Sequence, residues 1–261
     1  MKDYLIFQLY GPLAAWGDIA VGETRPSSFA PAKSAVLGLV AAALGLRRPD
    51  ATKDEAERRE WEARHVALAE GYGMAVKLTR PGLPLTDYHT AQIPSSGSGR
   101  NKKVFATRRD ELTWMPRHDL NTILSRRDYR QDAYAAVALW ERKGAPHPLE
   151  HLRYKLLEPE FVLYLGRKSC PTALPLKPVI VSADCVEDAL AESSFVQATQ
   201  ELLDTRNMEE AAPMLLWDKD AETRLVAEQT VTRRDTPTSR RRWQFAVREE
   251  RRAHLPREGQ Q

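Results

Sequence analysis

Hydrophobic and polar positions change period along this chain, and each change marks an element. Residues 3–10 (DYLIFQLY) alternate and are rich in aromatic and branched side chains, which predicts a strand. Gly11 and Pro12 break it. A loop containing Trp16-Gly17 and Thr24-Arg25-Pro26 follows. Pro31 and Ser34 then precede a nearly all-apolar run ending at Gly45. That run predicts a buried helix, with Ser34 or a neighbour capping its start and Gly45 closing it. Residues 54–70 are highly charged, with Trp61, Val66 and Leu68 among them, and predict a second, exposed helix.

Further on, residues 74–78 predict a strand, Arg80-Pro81-Gly82 a turn, and residues 85–90 (LTDYHT) another extended segment. Residues 93–103 (IPSSGSGRNKK) carry no hydrophobic pattern and read as a mobile loop. Residues 132–140 (DAYAAVALW) suit a strand or a buried helix, and their short length between flanking charges favours the strand. Pro148 sits well in the first turn of a helix running to about Glu158. Residues 164–171 (YLGRKSCP) read as a glycine-bearing basic loop, 176–182 as a strand and 186–192 as a short helix. Two more strands are expected around 215–217 and 243–247.

Taking away a long basic insertion and one extra helix leaves the order β-α-β-β-α-β. The expected fold class is therefore α+β, a ferredoxin-like (RRM-like) unit over residues 1–183, interrupted by an insertion at about 86–130. Residues 184–261 are expected to form a small β-rich C-terminal region. A sheet with helices on one face is a common RNA-binding platform, although a fold alone does not establish that role.

Charge sharpens the picture. The net charge of +3 conceals two basic stretches: residues 100–130 carry a local +5 and residues 233–257 a local +6, so the remainder is acidic. Basic patches on an otherwise acidic protein point to localised contact with a polyanion, or to solvated and screened faces. No run is long enough to cross a bilayer, and the first residues lack a signal-peptide core, so a cytoplasmic protein with no membrane contact is expected.

The two cysteines, Cys170 and Cys185, form no CxxC pair, so a cysteine-based zinc site has no support. His147 and His151 are four apart, but Pro148 sets His147 at the helix cap and no carboxylate completes a ligand triad. Residues 95–99 lack the Lys-Ser/Thr ending of a P-loop. Neither a metal nor a cofactor is expected.

Several segments together resemble one family. YLIFQLYGPLAAWGD and TRPSSFAPAKSAVLGLVAAALGL resemble the first strand, loop and helix of the CRISPR-associated Cas-five family of type I-E Cascade, within the RAMP superfamily. LTDYHTAQ and RRDYRQDAYAAVAL resemble the segments entering and leaving that family's protruding thumb. YLGRKSCP resembles its glycine-rich loop, and RRWQFAVREE its C-terminal strand. Two departures stand out: Arg130 replaces an expected apolar residue, and the tail after Glu250 is very basic.

The resemblance implies a non-catalytic subunit of an antiviral surveillance complex that holds the 5′ handle of the CRISPR RNA. It also implies that the thumb packs on the backbone subunit, that the chain helps seat the large subunit, and that target DNA is met only through the complex. Arg108, Arg109, Arg126 and Arg127 flank the thumb, and guanidinium groups bind phosphates bidentately and stack on bases. Alternatively they are solvated partners of Asp110, Glu111 or Asp128. Gly166, Arg167 and Lys168 offer close backbone approach to a phosphate, or a plain turn. Lys33 and Ser34 mark a helix start that can bind a phosphate, and Arg25 lies in a loop within reach of RNA. Trp16 suits either base stacking or packing. The competing reading is a metal-independent ribonuclease that processes the precursor RNA, with His89 beside Tyr88 as its base.

Overall fold

The computed structural model describes residues 1–94, 105–192 and 212–256. Most of the expected 93–103 loop and the end of the basic tail lie outside the described residues.

The main body is a seven-stranded antiparallel sheet. Its central strands are β1 (Lys2–Tyr10), β4 (Tyr72–Arg80) and β7 (Tyr134–Glu141), with β8 (Val179–Ala183) beyond β1. Strands β9 (Met214–Asp218), β11 (Gln244–His254) and β10 (Gln229–Ser239) continue the same sheet beyond β4, giving the order β10-β11-β9-β4-β7-β1-β8. The 183/184 boundary thus divides the chain but not the sheet. All its pairings are antiparallel.

Both faces of this sheet are covered, which explains why β1 and β7 read as nearly continuous apolar runs. Leu5, Phe7 and Leu9 of β1 face a core shared with Leu37 and Val40 of helix α1 (Lys33–Ala43) and Leu152 of α4 (Leu149–Leu157). Leu68 of α2 (Glu55–Gly71) joins that core. Tyr4 and Ile6 face the other way, toward Val186, Ala189 and Leu190 of α5 (Val186–Glu192) and Trp217. Gln8, buried among them, is satisfied by donating to the Pro175 carbonyl at 2.8 Å. Removing such a partner from a buried amide costs roughly 1–3 kcal/mol, so this polar residue fixes register where the apolar ones fix burial.

Local sequence chemistry sets the helix ends. Asp54 caps α2 by accepting from the backbone N–H groups of Ala56 and Glu57. Gly45, at φ 74°, ends α1 in a left-handed turn in which Leu46 N–H donates to the Ala41 carbonyl.

A long hairpin is inserted between β4 and β7. Its strands are β5 (Leu83–Pro94) and β6 (Leu120–Gln131), paired along their whole length, with α3 (Arg108–Trp114) between them in sequence. At its base, the other edge of β6 pairs with two short strands, β2 (Leu13–Ala14) and β3 (Thr24–Arg25). No helix among the described residues is long and apolar enough to cross a membrane.

Candidate nucleic-acid interface

The glycine loop and the hairpin base are welded into one surface. Within the loop, Leu165 N–H donates to the Cys170 carbonyl at 2.7 Å and Cys170 N–H to the Arg167 carbonyl at 2.9 Å. Ala15 N–H donates to the Leu165 carbonyl at 2.9 Å, which ties the loop to the chain just after β2. Gly166 has φ 87°, and a Cβ there would stand 1.7 Å from the Ala15 carbonyl oxygen. The space freed by its missing side chain is thus filled by the protein itself, not left open for a phosphate. Arg167 then crosses to the hairpin. Its Nη1 donates to the Asp128 carbonyl at 2.9 Å, its Nη2 to the Arg25 carbonyl at 2.8 Å, and its guanidinium lies 4.6 Å from the Tyr129 ring centroid.

This junction lines an open cleft of about 2560 Å³. Small-molecule pockets run to roughly 1,000 Å³, so the volume suits a polymer. Its lining carries Arg25, Arg130, Arg167 and Lys168 from the loops and the hairpin base, and Arg47, Arg48, Arg233, Arg234, Arg240 and Arg252 from the chain just after α1 and the β10–β11 pair. Arg233 and Arg252 pair with Glu250, and Arg48 with Asp50, but Arg25, Arg47, Arg130, Arg167, Arg234 and Lys168 meet no carboxylate among the described residues, so the cleft is net positive. Arg25 is exposed and donates from Nη1 to the carbonyls of Gly22 and Thr24, at 2.6 and 3.0 Å. Lys168 is exposed and Arg130 half-buried, and neither pairs with a carboxylate among the described residues. Such an arrangement can hold a string of phosphates by charge-assisted hydrogen bonds.

Two more expected site residues, besides Gly166, are corrected. Lys33 is 1% exposed, and its Nζ donates to Asp218 Oδ2 at 2.6 Å. Burial lowers its pKa, against the pull of Asp218. Its backbone N–H donates to Asp235 Oδ2 at 2.9 Å, so an anion of the protein's own already occupies the start of α1. A phosphate can reach neither group. Ser34 is not the cap either: that position is Ala32, and the Ser34 carbonyl accepts from Arg240 Nη2 at 2.8 Å. Ser34 still lines the cleft.

The four hairpin arginines do not converge on the cleft. Arg126 and Arg127 are consecutive on β6 and so project to opposite faces, opposite Tyr88 and Asp87 of β5. Arg126 lines a shallow hollow of about 210 Å³ with Tyr88 and Glu23. Arg108 pairs with Glu111 on α3, and neither Arg108 nor Arg109 lines the cleft. Trp16 is buried and packs. His89 stands on β5 outside the cleft, 2.5 Å from Asp87 Oδ2.

Sequence reasoning missed Arg130 as a lining residue, although its presence at an expected apolar position was the available signal. It also left the lining contributed by Arg47, Arg48, Arg234 and Trp243 unassigned, because 47–48 and 234–243 are distant in sequence. Among the described residues no group of three or more His, Cys, Asp or Glu is arranged to hold a metal.

The fold and site are those of an α+β protein whose antiparallel sheet supports an open, basic cleft at the root of a long hairpin. The model of the family described as CRISPR-associated protein (Cas_Cas5) matches residues 4–251, and the chain belongs to this family. It is 33% identical over 184 residues to the CRISPR system Cascade subunit CasD of Escherichia coli (strain K12), covering 67% of this chain and 70% of that one. Among solved structures, a chain of a CRISPR RNA-guided surveillance complex aligns with TM-score 0.55 and 22% identity over 97% of this chain and 90% of its own. A second, described as a Cas protein crystal structure, aligns with TM-score 0.54 and 24% identity over 98% and 96%.

Proposed function

We propose that this chain is a non-catalytic, CRISPR RNA-binding subunit of a type I-E Cascade complex that clamps the 5′ handle of the guide RNA and caps the backbone. The identity to a Cascade subunit over two thirds of the chain supports membership of such a complex. The observation that carries the clamp is Arg167, which bonds to Asp128 and Arg25 and so joins glycine loop and hairpin base in one positive cleft.

In this reading, strands β8-β1-β7-β4 with their helices are a ferredoxin-like βαββαβ unit within residues 1–183. The β5–β6 hairpin is its thumb, and residues 184–261 extend its sheet. Arg25, Arg130, Arg167 and Lys168 contact phosphates inside the cleft. Arg108, Arg109, Arg126 and Arg127 meet the RNA or the neighbouring backbone subunit on the thumb, outside it. The large subunit sits nearby, and target DNA is reached only through the complex, in the cytoplasm.

Assembly of the complex on CRISPR RNA with and without this chain tests the proposal. Loss of 5′-handle protection in its absence is expected, and handle protection that persists without it overturns the clamp. Incubation with repeat RNA in a chelator tests the ribonuclease alternative: specific cleavage lost on His89→Ala would overturn the non-catalytic reading.

A further inference from the structure

The part of the cleft lining contributed by the β10–β11 pair carries an exposed aromatic side chain among its charges. The turn joining β10 to β11 is bolted to α2: backbone N–H groups of Arg240 and Arg241 donate to Glu62 Oε2 at 3.1 and 3.2 Å, and Arg241 Nη1 to Glu55 Oε1 at 2.7 Å. Arg240 also reaches the Ser34 carbonyl of α1. Trp243 leaves this fixed turn at φ 52°, a left-handed conformation that bulky residues rarely adopt. It remains 54% exposed and lines the cleft. A large apolar side chain thus stands outside the core, on a backbone conformation that closes the turn and costs energy for a bulky residue. Arg48 stacks on the indole at 4.4 Å, and the Phe245 ring centroid lies 6.4 Å away at 40°.

We propose that Trp243, braced by Arg48 and Phe245, is a stacking platform for an unpaired nucleobase of the RNA in the cleft. The inference rests on the proposed function, since it presumes single-stranded RNA there. The surroundings select the occupant. Arg47, Arg234 and Arg242 are exposed near the turn in sequence or along the same lining, and pair with no carboxylate among the described residues. Aromatic rings interleaved with unpaired arginines suit alternating bases and phosphates. An apolar protein surface gains nothing from that many uncompensated cations.

The test uses the full chain and single-stranded RNA copied from the CRISPR repeat, with 2-aminopurine placed at one position at a time. Trp243→Asn removes the ring while keeping a residue that tolerates the left-handed backbone, and Trp243→Tyr keeps an aromatic face. The parent should quench one position strongly. The Asn variant should lose that quenching and bind roughly 5- to 100-fold more weakly, with an unchanged salt slope, because no phosphate contact is lost. The Tyr variant should stay within about threefold of the parent. Thermal melting checks that both variants are folded. An Asn variant that binds and quenches like the parent, while Lys168→Glu still weakens binding, overturns the platform and spares the proposed function. Absence of RNA binding by the parent overturns both. An Asn variant that binds RNA normally but no longer joins the other subunits makes Trp243 a protein contact and overturns the platform.

Discussion

The hairpin and the C-terminal strands enter the sequence with similar excess positive charge, yet they spend it differently. On β11, Arg248 donates to Asp235 Oδ1 at 2.7 Å, to Asp218 Oδ1 at 2.9 Å and to Glu250 Oε2 at 2.7 Å. Arg252 bonds Glu250 and lies 4.9 Å from the Phe29 ring centroid, and Arg233 donates to Ser28. Asp218 also holds Lys33 and Arg142, and accepts from Met74 N–H at 3.2 Å. These charges tie β9, β10 and β11 to α1 and β4. On β6, by contrast, Arg126, Arg127 and Arg130 have no carboxylate partner among the described residues. Charge density alone therefore does not separate an arginine held by buried carboxylates from one with none beside it. The position of those carboxylates does.

The comparison breaks first at Asp218. It is 3% exposed, and Asp218→Ala leaves the buried Lys33 ammonium without its carboxylate partner, while Arg248 keeps only Asp235 and Glu250. A loss of about 3–5 kcal/mol in urea unfolding is expected. A loss below about 1 kcal/mol would mean that the C-terminal network is no more structural than the hairpin charges.

The converse substitution pair, Arg130→Glu with Lys168→Glu, should weaken RNA binding by roughly 10- to 100-fold and lower the salt slope by about 1.4, at 0.7 per phosphate contact on a single strand. Its unfolding free energy should shift by less than about 1 kcal/mol. Gly166→Ala strikes the weld itself, combining a positive φ with a clash against the Ala15 carbonyl. It should cost about 1–3 kcal/mol by thermal unfolding and loosen RNA binding as the loop shifts.

Acid sharpens the contrast next. Burial pushes the Asp235 carboxyl up, but hydrogen bonding to Arg248, that arginine's charge and the Lys33 N–H outweigh it and hold the pKa below the usual carboxylate range. A depressed folded value gives stability that is present above the unfolded value of about 3.9 and is lost as pH falls through the folded one. Unfolding measured from pH 6 to pH 2, roughly the span over which aspartates titrate, should therefore show an acid loss that Asp235→Asn reduces. Smallest of all, Lys33→Met should leave RNA affinity within about twofold, since the side chain meets no phosphate. A larger drop with an intact fold would return Lys33 to the binding site.

Elements with strong local patterns were legible in the sequence. The strand at 3–10, the helix ending near Gly45, the charged helix from Asp54 and the short helix after Pro148 appear with boundaries within a few residues. The β10–β11 pair was visible only around 243–247, because inward-facing charges such as Asp235 and Arg248 read as surface, and Pro237 argues against a strand unless it lies at a sheet edge, as it does. Lys33 misled for a related reason: a lysine at a helix start resembles an anion site until its partner, Asp218, is brought in from the far end of the chain. Arg167 was named as a candidate, but its role as the bond between two distant loops depends on tertiary contacts that no spacing announces.

Photo-crosslinking of native CRISPR RNA within the assembled complex, read by peptide mass spectrometry, tests the central claim most directly. Handle nucleotides should attach to peptides carrying Arg25, Arg130 and Lys168, which share one cleft. Attachment of the handle only to other subunits, or only to faces of this chain outside that cleft, would contradict it.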